Sequence, residues 1–437
     1  VESAKAVLAA NWTGEFTKPA PSLYPHQWNW DSGFIALAYA HYDLDKAMAE
    51  LSSLFQGQWK NGMLPHIVFR PDQVARYFPG PSFWDSWRSD NAPASMQTSG
   101  ITQPPVHALA LHAIHQLSSD PVRSLAFLRR IYPQVLAMHR YFYQERDPAG
   151  EGLVHIRHPW EGGTDNSPLW DRALKRIDLS QIEMPQYERL DLRGDNAAFR
   201  PTQKDYDYYV FLLKLAQIHQ YDEAWLNQNC PFQVIDPMFN AILIRANECL
   251  LEIADWLREP KKEIKDWLHR SREAMNAKLW NPEKGQYDAW DRYARERIPM
   301  VTSSGLLPLL GGIPSQRQAK AIHKRLLSPS FSGSAKNPAW LCPTTDLKSK
   351  WLDRRKYWRG PVWINTNWML HQGLLRYGYD KTAQRVKEDS LYLLENLGFY
   401  EYFDPFRDAE TIVGYGTEQF SWSAALYLDW HYRKANN

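Results

Sequence analysis

The sequence predicts an all-α fold, a ring of helical hairpins closed on itself: an (α/α)6 toroid. Three observations lead there. Helical segments follow one another, about a dozen in all, with little strand-like alternation between them. No fixed-period repeat appears, which argues against an open solenoid. No linker of Ser, Gly or charge divides the chain, so residues 1–437 read as one domain. A simple bundle has difficulty covering so many helices with one core, whereas a closed ring fits both the count and the length.

In chain order, residues 2–10 read as helix, and 31–40 and 44–56 as an antiparallel pair. Pro104-Pro105 opens a helix through Leu117. Asp120 caps the next and Pro121 starts it, and Pro133 is expected to break it in two. Further helices are expected near 203–219, 236–257, 261–278, 301–310, 315–327, 362–376, 380–396 and 418–433. The clearest is 236–257. Asp236 is its N-cap, Pro237 its first turn, and Phe239, Ile242, Leu243, Ala246, Cys249, Leu250, Ile253, Trp256 and Leu257 form one stripe at three-and-four spacing. The best strand candidate is 285–290. Five long connections remain: 57–103, 147–178, 184–202, 281–300 and 328–361. They carry Gly, Pro, Trp, Tyr and Arg rather than the Ser and Glu of disorder. Long ordered connections are usually functional. In a toroid they would gather at one rim and wall a central pocket.

The net charge of +2 provides no basic field, so neither nucleic acid nor an anionic membrane is expected as a partner. The aromatic content is high: 20 Trp, 23 Tyr and 17 Phe. Indoles suit a small-molecule sugar, whose apolar face stacks on a ring while its hydroxyls hydrogen-bond around it. Cys230, Cys249 and Cys342 are too few for a disulfide framework and indicate a reducing, cytoplasmic setting. No apolar run approaches the ~20 residues of a membrane span. No His-Glu-x-x-His, Cys pair or calcium loop is present, so no metal or cofactor is expected. His66, His107 and His112 read as structural or pocket hydrogen-bonders.

The stretch Trp160 to Asp171 concentrates the chemistry. It holds Glu161, Asp165, Asp171 and two tryptophans around Gly162-Gly163. Asp165 falls on a loop beside indoles, where lost hydration raises a carboxyl pKa towards that of a general acid. A turn-fixing or helix-capping Asp fits the same position. Tyr24-Pro25-His26-Gln27-Trp28-Asn29-Trp30-Asp31 places an acid behind two indoles, and there too a helix cap is an alternative. Glu401, between Tyr400 and Tyr402, suits a second catalytic carboxylate. Glu418, in a Gly-rich turn, is the runner-up.

Six motifs in order resemble glycoside hydrolase family 63, in the branch of glucosylglycerate and mannosylglycerate hydrolases. They are Tyr-Pro-His-Gln-Trp-Asn-Trp-Asp (24–31), Gly-Met-Leu-Pro-His (62–66), Gly-Ile-Thr-Gln-Pro-Pro (100–105), Asp-Asn-Ser-Pro-Leu-Trp-Asp (165–171), Tyr-Trp-Arg-Gly-Pro-Val-Trp-Ile-Asn (357–365) and the 400–423 segment. The resemblance implies inverting hydrolysis of an α-glycosidic bond, with Asp165 as general acid and Glu401 as general base. It implies a sugar pocket walled by Asp31, Trp28 and Trp30 beside Tyr24 and His66, with stacking from Trp160, Trp363 and Trp422. It puts glucosylglycerate ahead of mannosylglycerate or another α-glucoside, and has Arg200, Tyr206, Gln103 and Tyr77 hold the glycerate near Tyr357. Arg suits a carboxylate because its planar fork matches both oxygens. A surface pairing of Arg200 with Asp195 or Asp205 is the alternative. Two other classes fit a toroid: a sugar epimerase working through histidines, and a carbohydrate-binding protein without catalysis.

Overall fold

The computed structural model describes residues 1–192, 197–407 and 413–435. Six elements form an inner circuit: helices Asn29–Tyr39, His107–Gln116 and Pro237–Leu257, the 3-10 helix Ser303–Leu309, and helices Ile364–Arg376 and Ser421–Ala435. Each packs on the next, and the last returns to the first. Outside them lie Glu2–Asn11, Leu44–Gln56, Pro121–Glu145, Lys262–Ala274, Gln316–Leu326 and Asp380–Leu397, each against an inner partner. The chain is mostly helical, as its sequence indicates.

Burial explains which helices are inside. Every residue of Asn29–Tyr39 is buried, and its sequence is apolar or small nearly all round. Gln316–Leu326 buries only Ala319, Ile322 and Leu326, three and four residues apart, and turns Arg, Lys and Gln outward. In Pro237–Leu257, Asp236 caps as expected, accepting from the Met238 and Phe239 amides at 3.3 and 3.1 Å. The circuit is sealed where its two ends meet. The Asn11 side-chain amide donates to the Gln419 carbonyl and the Ser421 hydroxyl, both at 2.9 Å. The Ser421 amide and hydroxyl donate to the Pro19 and Lys18 carbonyls.

Several expectations need correction. Pro133 does not break its helix, which runs unbroken over Pro121–Glu145. Pro133 and Arg129, whose carbonyl it strands, both lie on the exposed face, where water can take the freed acceptor. The 301–310 segment is a 3-10 helix over Ser303–Leu309 with Pro308 inside it, not an α-helix. The 285–290 strand is two strands: Gln286–Tyr287 pairs with Trp280–Asn281, and Ala289–Asp291 with Val234–Ile235 and Glu296–Ile298. Asp31 is not the cap of its helix; Trp28 holds that position, without a side-chain bond. A short helix, Glu223–Asn229, capped by Asp222, escaped the sequence pattern. Among the described residues, no helix is long and apolar enough to cross a membrane. The three cysteines are free and buried.

Candidate active site

Four of the five long connections, 57–103, 147–178, 184–202 and 328–361, meet around a pocket with about 840 Å³ of free space, part of it open to solvent. The fifth, 281–300, supplies no lining residue, contrary to the expectation for it. Short strand pairings bring its walls together. Gln27–Trp28 pairs with Ile67–Val68 in the register Gln27↔Val68 and Trp28↔Ile67, which sets His66 against Trp28. The Asn29 side chain ties this pair down through the Leu64 and Pro65 carbonyls. Gln103 accepts from the Trp30 amide at 3.3 Å, satisfying one orphan donor of the helix start. Trp28, Tyr24 and Tyr77 meet edge to face at 5.0–5.1 Å, and Trp30 meets Trp422 at 5.2 Å.

Asp165 sits on the pocket wall, on a loop held at every side. The Tyr209 hydroxyl donates to its carbonyl at 2.8 Å, the Trp170 indole to Thr164 at 2.7 Å, and Asn166 accepts from the Trp358 amide at 2.8 Å. Gly163 takes φ +71°, and a Cβ there would stand 2.6 Å from the Trp30 indole, so only glycine fits this turn. Among the described residues, no side chain donates to the Asp165 carboxyl. Burial pushes its pKa up to about 7; nearby Arg200 pulls it down and Glu401 adds to the rise. Asp31 is buried on the same pocket, and its pKa too is well raised, by burial first and then by Glu401, Glu50 and Asp165.

Glu401 is the opposite kind of carboxylate. Tyr24 donates to its Oε1 at 2.7 Å and Tyr357 at 3.2 Å. The Thr417 amide and Arg200 reach Oε2 at 3.2 and 3.4 Å. The hairpin Tyr402–Phe403 with Gly414–Tyr415 folds this face into place, and a Cβ on Gly416 would come within 2.2 Å of Oε2. Glu418 is exposed and takes the Tyr400 hydroxyl at 2.8 Å, outside the pocket.

Of the residues singled out from the sequence, Tyr24, Trp28, Trp30, Asp31, His66, Tyr77, Gln103, Trp160, Asp165, Arg200, Tyr206, Tyr357, Glu401 and Trp422 all line this pocket. Trp363 does not. It lies one layer behind, stacked on Trp358 at 3.7 Å and 8°, and Trp358 holds the lining position instead. Both tryptophans stand in one motif, so the sequence could not say which faces inward. Arg200 makes no pair with Asp205, whose carboxylate closes a capping box with Thr202; Asp195 lies outside the described residues. Arg200 is buried and donates to Tyr24 at 2.9 Å as well as to Glu401. His107 bonds the Asn29 carbonyl, and His112 pairs with Glu252, both away from the pocket. Sequence reasoning missed Arg76, Phe78, Asp191 and Phe420 on the lining. It also missed the role of Glu161, fully buried beneath the loop. Arg146 grips it bidentately at 2.9 and 2.7 Å, and the Arg157 amide adds 2.7 Å. No group of three or more potential metal ligands occurs among the described residues.

Known proteins of one family match this chain along nearly its whole length. A family model described as the mannosylglycerate hydrolase MGH1-like glycoside hydrolase domain matches residues 24–423. The mannosylglycerate hydrolase of Rubrobacter radiotolerans is 44% identical over 436 residues, covering 98% of this chain and 96% of its own. The glucosylglycerate hydrolase of Mycolicibacterium hassiacum is 36% identical over 435 residues, covering 97% and 96%. The crystal structure of the GH63 mannosylglycerate hydrolase from Thermus thermophilus, in complex with Tris and D-glycerate, superposes with a TM-score of 0.91 at 43% identity, covering 98% and 99%.

Proposed function

The chain belongs to the mannosylglycerate hydrolase MGH1-like glycoside hydrolase family, and from that premise we propose that it hydrolyses an α-linked glycosylglycerate with inversion, as one catalytic unit. Mannosylglycerate comes first and glucosylglycerate second. This reverses the order that the sequence motifs suggest, because identity is higher to the mannosylglycerate hydrolase than to the glucosylglycerate hydrolase.

One observation carries the reading: two carboxyl groups on one pocket have opposite surroundings. Among the described residues Asp165 has no side-chain donor, and it is pushed up to about 7, which suits an acid that gives its proton to the departing glycosidic oxygen. Glu401 is held by hydroxyl, amide and guanidinium donors, which fix a base that takes a proton from water. The water oxygen bonds to the anomeric carbon as the glycosidic bond breaks. One proton passes from Asp165 to the leaving group, and one from water to Glu401. Inversion requires the pair to stand roughly 6.5–9.5 Å apart across the sugar. Among the described residues His66 Nδ1 and Trp422 Nε1, on two side chains of the lining, have no protein partner, so both keep a hydrogen bond unused for a sugar hydroxyl. Asp31 serves a hydroxyl in the same way. Arg200 faces the carboxylate of the leaving group as well as Glu401, beside Tyr206 and Tyr77.

The test is a panel of mannosylglycerate, glucosylglycerate, trehalose and maltose, with proton NMR of the first product formed. The β-anomer of the free sugar is expected from a glycosylglycerate. An α-anomer appearing first would require a covalent intermediate and would sink the mechanism. Turnover of the disaccharides in preference to both glycerates would sink the substrate.

A further inference from the structure

The pocket carries charge unevenly along its depth. Around the reacting centre stand the carboxyl groups of Asp31, Asp165 and Glu401, against one buried cation, Arg200. A fourth acid on the lining, Asp191, is already matched, since Arg189 holds both of its oxygens at 3.0 and 2.7 Å. With Asp165 and Asp31 pushed towards their neutral forms, Glu401 and Arg200 balance one another, and the interior exerts no net pull on an approaching anion.

The mouth does carry net charge. Arg76, exposed, lines the pocket beside Tyr77, and Pro19, which follows Lys18 in the chain, lines it too. Arg76 donates to Gln73 at 3.1 Å. Among the described residues, no carboxylate pairs with Arg76 or with Lys18. Their neighbour Arg70 is neutralised by Asp72, through two bonds of 3.0 Å. Partial burial first, and then Arg70 and Arg76, pull the Lys18 ammonium below its ordinary pKa. Cations gathered in this way repel one another, and among the described residues no carboxylate offsets that repulsion at Lys18 or Arg76. An anion at the mouth would.

We propose that Lys18 and Arg76 form an electropositive collar that draws in the carboxylate end of a glycosylated hydroxy acid and turns its neutral sugar inwards, towards Asp165 and Glu401. The proposal rests on the glycosylglycerate reading and adds a role to residues outside the reacting centre. A substrate with one anionic and one neutral end meets a field pointing along the pocket, so it enters sugar first. The collar acts on encounter and first binding, both of which enter kcat/KM.

The experiment compares mannosylglycerate with its glycerol analogue, in which a hydroxymethyl group replaces the carboxylate, between about 0.01 M and 0.5 M salt, where the screening length falls several-fold. For the wild type, kcat/KM on the acid should fall with salt, while the neutral analogue responds weakly. In the Lys18→Ala/Arg76→Ala double variant, kcat/KM on the acid at low salt should fall by about 10-fold, mainly through KM, and its salt slope should flatten. A Lys18→Arg/Arg76→Lys variant should keep the wild-type slope, because charge and not shape is at issue. A double-alanine variant with the wild-type salt slope on the acid overturns the collar alone. A wild type that treats acid and neutral analogue alike at every salt concentration overturns the glycerate reading and the collar with it.

Discussion

Glu161 and Asp165 stand four residues apart on one loop, both deep in the protein, and their carboxyl groups are driven in opposite directions. At the foot of the loop, Arg146 and the Arg157 amide surround Glu161, and its pKa falls to about 2 although burial alone would raise it. At the tip, Asp165 has no side-chain donor among the described residues, burial dominates, and its pKa rises to about 7. Depth therefore does not decide the charge of a buried acid; the donors that accompany it do. The loop uses both outcomes, a charged anchor that fixes its base and a protonated acid at its end.

The most severe way to break this contrast is at the tip. Asp165→Asn should lower kcat by about 10²–10⁴-fold, with a melting temperature close to that of the wild type. An amide that retained more than a tenth of the activity would remove Asp165 from the chemistry. At the foot the order of effects should reverse. Glu161→Gln takes the bidentate carboxylate from the buried Arg146 and leaves it only Glu223, 3.6 Å away and shared with Arg157, which should cost up to about 3–5 kcal/mol of stability. Chemical denaturation would read this directly, and a loss below about 1 kcal/mol would mean that the ion pair contributes little to holding the loop.

Acidity sharpens the contrast without any mutation. Asp165 carries its proton below about pH 7 and is a carboxylate above it, so if it is the acid we propose, kcat should fall about tenfold per pH unit on the alkaline side. Glu161 works in the other direction. Its folded pKa lies below the ordinary value of 4.5, so its stabilisation is present above that value and is lost as pH falls towards about 2. Activity should therefore fail at high pH while the fold persists, and the fold should fail at low pH. The smallest effect belongs to Glu418, an exposed acid on Tyr400. Glu418→Gln should leave kcat within about twofold, and a loss as large as that of Glu401→Gln would transfer the base role to it.

Local pattern made much of this legible. The three-and-four stripes mark the helices, and the acids near Trp and Gly mark the pocket. What local pattern cannot supply is the meeting of distant segments. Nothing around Arg200 announces Glu401, 201 positions away, and nothing around Glu161 announces that Arg146 rather than solvent receives it. The error at Pro133 has the same root. A helix breaker was read without knowing that its face is exposed, and exposure is what lets water replace the missing bond. Trp358 and Trp363 are five residues apart in one motif, and only their stacking shows which is inside.

Closure of the circuit has a consequence for the newborn chain. The pocket draws Tyr24 and Asp31 from one end and Glu401, Phe420 and Trp422 from the other, and Asn11 bonds Gln419 and Ser421 some 408–410 positions away. The ribosome releases these partners at opposite times, with more than 360 residues between them to be made at about 5–20 residues per second. The first helix must therefore wait, its inner face uncovered, for tens of seconds. The loop of Asp165 can fold early against Arg146, but Asp165 and Glu401 share no cavity until helix Ser421–Ala435 docks. Catalytic competence should arrive in one step once that helix has been made, and a chain stalled before Phe420 should carry most of the fold and none of the activity.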